Sequence, residues 1–161
     1  MRLSRQSLIT GGVLVWSLLG LATSGAAQDK PSESMSSARE KLASEKKEYV
    51  TQHLKLTDAE AKNFWPVYES YQNKLGVIND RLVKLIQSYA AHYADMTDEV
   101  AKQLVDESLS IDADRLKIRQ TFLPQFRKIL PEVKVARYYQ IENKIQSAMN
   151  YDLSTGIHLM E

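Results

Sequence analysis

One apolar seam limits what this chain can fold into. Tyr68, Tyr71, Leu75, Ile78, Leu82, Leu85 and Tyr89 follow one another at alternating steps of three and four residues. A strand repeats every second residue and cannot keep such a stripe on one face, whereas a helix of 3.6 residues per turn can. The seam holds for three heptads. It therefore predicts a long helix, from Asp58 to about Tyr93, that has to pack against a partner helix.

Local punctuation supports that reading. Leu56-Thr57-Asp58-Ala59-Glu60 forms a helix start. The Thr57 hydroxyl can accept from a backbone N–H two or three residues on, and the Glu60 carboxylate can reach back to the cap's own N–H. Met96-Thr97-Asp98-Glu99-Val100 repeats the device with the reciprocal carboxylate missing. Asp98 and Glu99 still suit the positive end of a helix dipole. The helix that follows carries Leu104, Ile111, Ile118 and Phe122 inward, with Leu109, Leu116 and Leu123 widening its stripe. Pro66 and Pro124 are expected to bend the two long helices. Pro131 suits a first helical position, so a last helix should run from about Pro131 to Leu153, with Val135, Tyr138, Ile141, Ile145 and Ala148 inward. Ahead of the seam, residues 38 to about 54 interleave charges at helical spacing, with only Leu42, Tyr49 and Leu54 as a thin apolar stripe.

The expected fold is all-α: about four helices, two of them long and bent, in an antiparallel hairpin or bundle. Only 6 Gly and 4 Pro in 161 residues leave little material for an all-β fold or for Gly-rich nucleotide loops. Residues 1–27 read as a signal peptide, with Arg2 and Arg5 before an apolar stretch from Leu8 to Leu21 and small residues at Gly25-Ala26-Ala27. That stretch is shorter than the ~20 residues a membrane span needs. Residues 28–37 read as a flexible polar leader, 38–153 as a single helical domain and 154–161 as a C-terminal tail. The expected location is the periplasm, with a mature form that does not span the membrane. Zero Cys suits an oxidising compartment.

Several function classes drop out. Zero Cys excludes a thiol nucleophile, a disulfide scaffold, a Cys-ligated zinc site and a lipid-bearing N-terminal Cys. A net charge of +1 gives no reason to expect nucleic acid as a partner. No Gly-x-Ser-x-Gly, phosphate loop or His-Glu-x-x-His occurs. No catalytic residue, cofactor or metal is assigned, and an enzyme is not expected. His53, His92 and His158 each stand alone. His92 with Asp95 could present an i, i+3 pair, but a metal site would need ligands from elsewhere.

Charge and aromatics single out a candidate surface. Residues 94–114 hold seven acids and one base, and residues 115–137 hold seven bases and one acid. The plain reading of such halves is dipole complementarity and a solvated face. The functional reading joins Arg115, Arg119 and Arg127 to Phe126, and adds Trp65 and Tyr68 from the aromatic cluster around Pro66, as a face that holds a client or partner polypeptide. At helical spacing Phe64, Tyr68 and Tyr71 are favoured as core, and Trp65 is the better candidate for exposure.

Leu56-Thr57-Asp58-Ala59-Glu60, Met96-Thr97-Asp98-Glu99-Val100 and the Phe126–Gln140 junction around Pro131 resemble the Spy/CpxP-like, LTxxQ-motif family of periplasmic proteins. The resemblance covers about residues 38–150. Glu60 stands where Gln is typical, Val100 replaces the second Gln and Leu130 the Thr before Pro131, which marks a distant branch. The resemblance implies a homodimer of bent helices with a basic, partly apolar concave face that binds unfolded protein without ATP. Other members regulate an envelope-stress kinase, and some relatives sense metal. The expectation is therefore an ATP-independent, chaperone-like protein for unfolded or stress-damaged envelope proteins. The rival is an envelope-stress sensor or adaptor that binds one signalling partner, with or without metal control.

Overall fold

The computed structural model describes residues 31–159, with side chains from residue 36 on. The expected signal peptide lies outside the described residues. Among the described residues there are four helices and no strand: α1 (Pro31–Leu54), α2 (Asp58–His92), α3 (Asp98–Ile129) and α4 (Glu132–Gly156). The all-α expectation holds, and α2 and α3 pack antiparallel.

Residue contacts group the described residues into two units. One unit is Leu56–Val135; the other joins the described residues up to Lys55 with those from Ala136 onward. The division falls inside α4.

In the Leu56–Val135 unit the caps work as written. The Thr57 hydroxyl accepts from the Glu60 N–H at 3.3 Å, and Glu60 Oε2 accepts from the Thr57 N–H at 2.8 Å. Thr97 accepts from the Val100 N–H at 3.3 Å, and with no carboxylate at position 100 the box stays half-made. The seam then divides. Tyr68, Tyr71, Leu75 and Ile78 are buried, together with Phe64, whereas Leu82, Leu85 and Tyr89 are only half-buried. From α3, Ile111, Phe122 and Phe126 complete the core. Ring centroids lie 5.7 Å apart for Phe64–Phe126, 5.3 Å for Tyr71–Phe122 and 5.7 Å for Tyr71–Phe126, the last edge to face. Such geometry adds to area burial. The dense end of the hairpin is therefore where α2 begins and α3 ends. Both helices continue through Pro66 and Pro124.

α3 stops at Leu130, an extended residue whose N–H still donates to the Phe126 carbonyl at 2.9 Å. Pro131 sits one position before the expected one. Its carbonyl accepts from the Lys134 and Val135 N–H groups at 2.9 and 3.0 Å, so it precedes α4 rather than opening it.

In the other unit, Lys46 Nζ donates to Glu142 Oε2 at 2.9 Å and ties α1 to α4. Glu142 is buried, as are Val50, Leu54, Tyr138 and Ile141. A buried carboxylate needs such a partner. The leader expected over 28–37 overlaps α1, which starts at Pro31 and not at Ala38. A proline in a first turn loses no hydrogen bond. Lys55, with φ of 52°, turns the chain out of α1 in the left-handed region. Ser154 and Thr155 do not end α4. Their hydroxyls donate to the Tyr151 and Asp152 carbonyls at 2.8 and 2.9 Å, inside the helix.

Candidate partner-binding surface

The residues chosen from sequence do not form one face. Tyr68 and Phe126 belong to the buried core of the Leu56–Val135 unit. This corrects their place in a surface, and helix geometry explains it. Ile111, Arg115, Phe122 and Phe126 share the side of α3 turned to α2, because steps of three, four and seven return to one face. Arg115 is on that side too. Its side chain is only 14% exposed. One terminal nitrogen donates to Asn79 Oδ1 at 3.3 Å, the other lies 3.6 Å from Asp112, and the buried Nε has no partner. Arg119 is half-buried.

Arg127 is exposed and pairs with Glu132 at 2.8 Å. Lys128, next to it, is exposed. Trp65 is half-buried, with its ring 5.1 Å from Phe64 and 5.3 Å from Tyr68, both edge on. The Phe64–Phe126 contact puts Trp65 at the same end of the hairpin as Arg127 and Lys128. Val133, 80% exposed, follows on the first turn of α4. From Arg115 to Pro131 the chain has no acidic residue. This end of the unit offers exposed cations and apolar surface side by side.

Leu56, Thr57 and Glu60, and Met96 and Thr97, are helix-start residues in the structure, as the motif implied. Glu60 does more than cap. Lys134 Nζ donates to the same Oε2 that receives the Thr57 N–H and, at 3.0 Å, the Thr57 hydroxyl. The Lys134 bond, first, and the Thr57 N–H hold the Glu60 carboxyl below the usual carboxylate range.

The strongest polar cluster escaped the sequence reading. Arg81 donates from Nε and Nη2 to the two oxygens of Glu107, at 2.9 and 3.0 Å. It also donates to Asp114 Oδ2 at 2.6 Å and Ser110 Oγ at 2.9 Å. This is the two-pronged geometry that suits a guanidinium to a carboxylate. It lowers the Glu107 carboxyl and raises the Arg81 guanidinium, each chiefly through their shared hydrogen bonds. The available signal was the spacing of Glu107, Ser110 and Asp114, which places three acceptors on one helical face. Beyond the clamp, a groove of about 290 Å³ runs towards the hairpin tip between Leu85, Ser88 and His92 on α2 and Val100 and Leu104 on α3.

His92 Nδ1 donates to the Ser88 carbonyl at 2.8 Å. Among the described residues no group of three or more His, Asp or Glu could hold a metal ion. No described helix is long and apolar enough to cross a membrane. Comparison with protein-family models, curated proteins and solved structures finds no match for this chain.

Proposed function

We propose that this protein is an exported, ATP-independent client-binding protein that captures unfolded or damaged envelope polypeptides. The observation that supports the reading is the acid-free basic run of α3, which ends in exposed Arg127 and Lys128 beside half-buried Trp65 and exposed Val133. Exposed cations would speed the encounter with acidic or unfolded chains. Weak apolar contacts at Trp65 and Val133 would then hold the client without locking it, so that it can fold or leave.

The test is light scattering of a chemically denatured, unrelated protein diluted into buffer with the purified protein and no nucleotide. The expected result is suppression of aggregation at near-stoichiometric amounts, weakened several-fold as salt rises. Arg127→Glu with Lys128→Glu should remove most of it while the helical circular dichroism stays unchanged. No suppression at several-fold excess would overturn general client binding and favour an adaptor for one partner.

A further inference from the structure

The apolar seam of α2 runs on past its core. Leu82 and Leu85 are only half-buried, and so is Leu104 on α3. Beyond the Arg81–Glu107 clamp, Leu85, Val100 and Leu104 give the groove of about 290 Å³ an aliphatic lining. Its polar edge is one column of α2. Lys84, Ser88 and His92 follow at steps of four, so they stack along one side of the helix. His92 is committed through Nδ1 to the Ser88 carbonyl at 2.8 Å. The other two are not. Thr51 and Thr121 each donate a hydroxyl to the carbonyl four residues back, at 2.8 Å. Among the described residues, neither the Ser88 hydroxyl nor the Lys84 ammonium has a partner. The acid that lines the groove, Glu107, is already matched, because Arg81 holds both its oxygens at 2.9 and 3.0 Å. Asp114, the second acid on Arg81, lies further along α3 and does not line the groove.

We infer that this groove binds a medium-chain monocarboxylate, its carboxylate on Lys84 Nζ and Ser88 Oγ and its alkyl chain against Leu85, Val100 and Leu104. Charge sets the head group. With Arg81 and Glu107 neutralising each other, Lys84 is the unmatched charge of the lining. An ammonium and a hydroxyl one helical turn apart supply donors to the two oxygens of one carboxylate. The apolar lining sets the tail. It is aliphatic, with no Phe, Tyr or Trp to stack on an aryl acid. Small-molecule sites share this plan of an apolar concavity with a few placed polar groups.

Size sets the chain length. A cavity of about 150 Å³ takes one benzene. The groove has about 290 Å³, which suits roughly twice as many heavy atoms. The column from Lys84 to His92 is roughly 12 Å long at 1.5 Å per residue. Octanoate to decanoate fits both measures. The inference does not rest on the client-binding reading. The groove lies towards the hairpin tip, whereas Trp65, Arg127 and Lys128 lie where α2 begins and α3 ends.

Isothermal titration calorimetry of the purified protein with sodium octanoate at neutral pH tests the inference. Saturable one-to-one binding is expected, with a dissociation constant below about 1 mM, modest for a ligand of this size. Octanol, the tail without the charge, and acetate, the head without the tail, should each bind roughly tenfold more weakly or worse. Lys84→Met should weaken octanoate by roughly tenfold and Ser88→Ala by roughly threefold. Lys84 is exposed and Ser88 half-buried, so both variants should keep the parent's helical circular dichroism. Position is read separately by proton NMR, because the chain has only 3 His. The His92 ring resonance, assigned with His92→Gln, should move on titration while that of His53 stays put. Absence of saturable binding up to about 10 mM overturns the inference. So does octanol binding as tightly as octanoate, an affinity indifferent to Lys84→Met, or binding that leaves the His92 resonance unmoved.

Discussion

Glu60 and Lys134, the first near the start of α2 and the second in the first turn of α4, are joined by one carboxylate oxygen. The oxygen that completes the cap of α2 also anchors the chain just after Pro131. A local device for starting a helix thus doubles as a long-range tie within the Leu56–Val135 unit.

Glu60→Gln separates the two roles. An amide oxygen can still accept from the Thr57 N–H, but the charge that holds Lys134 is gone. The variant should melt lower than the parent. In a Lys134→Met background the same change should have little effect, giving a non-zero coupling in a double-mutant cycle followed by thermal circular dichroism. Equal effects in both backgrounds would show that the tie contributes nothing.

Acid should weaken the unit through the same groups. Glu60 and Glu107 have carboxyl pKa values below their ordinary 4.5, held there by hydrogen bonds to Lys134 and Arg81 respectively. A carboxylate depressed in the folded state binds fewer protons there than when unfolded. It adds stability that is complete above the ordinary value and is lost as pH falls through the folded one. The melting temperature should be flat from pH 7 to about 5 and fall below that. The fall should be smaller in a Glu60→Gln, Glu107→Gln double variant, measured over the same pH series.

Arg115→Met tests the buried guanidinium. The wild-type side chain keeps one long hydrogen bond to Asn79 and a 3.6 Å ion pair with the mostly exposed Asp112, and leaves its Nε without a partner. An unpartnered buried donor costs about 1–3 kcal/mol, while an ordinary hydrogen bond contributes about 1. Methionine has a similar stem and no donor to satisfy. The expected change in unfolding free energy is within about 1 kcal/mol of zero, of either sign, by urea denaturation. A loss above about 3 kcal/mol would mean that Arg115 holds α2 and α3 together more strongly than its contacts imply.

Gly76→Ala should stabilise. Gly76 lies inside α2, and a Cβ built there meets no atom within 4 Å. Alanine in a helix interior is favoured over glycine by about 0.5–1 kcal/mol. The urea midpoint should rise with an unchanged slope.

The helices were legible because their signals are local. Thr57 finds its partner three residues on, and the period from Tyr68 to Ile78 needs only the geometry of one helix. The same period named Tyr71 and Ile78 as core and favoured core for Tyr68. Sequence also marked Trp65 as the more exposed neighbour, and it is half-buried where Phe64 is fully covered. Phe126 was assigned to a surface although it keeps the register of Ile111 and Phe122. The charges beside it outweighed the period in that reading.

By itself, then, the sequence determined that this protein is helical, where α2 and α3 begin, and which stripe of α2 turns inward. Those properties depend on groups a few residues apart along one chain direction. The tertiary structure decided which charges remain in solvent. Arg81 finds Glu107 and Asp114, Lys134 finds Glu60, Lys46 finds Glu142, and Arg115 is drawn inward, because packing aligns residues that no local rule relates. The register of α2 against α3 is set by interlocking Tyr71 with Phe122 and Phe126, and every cross-helix ion pair between these two helices follows from that register.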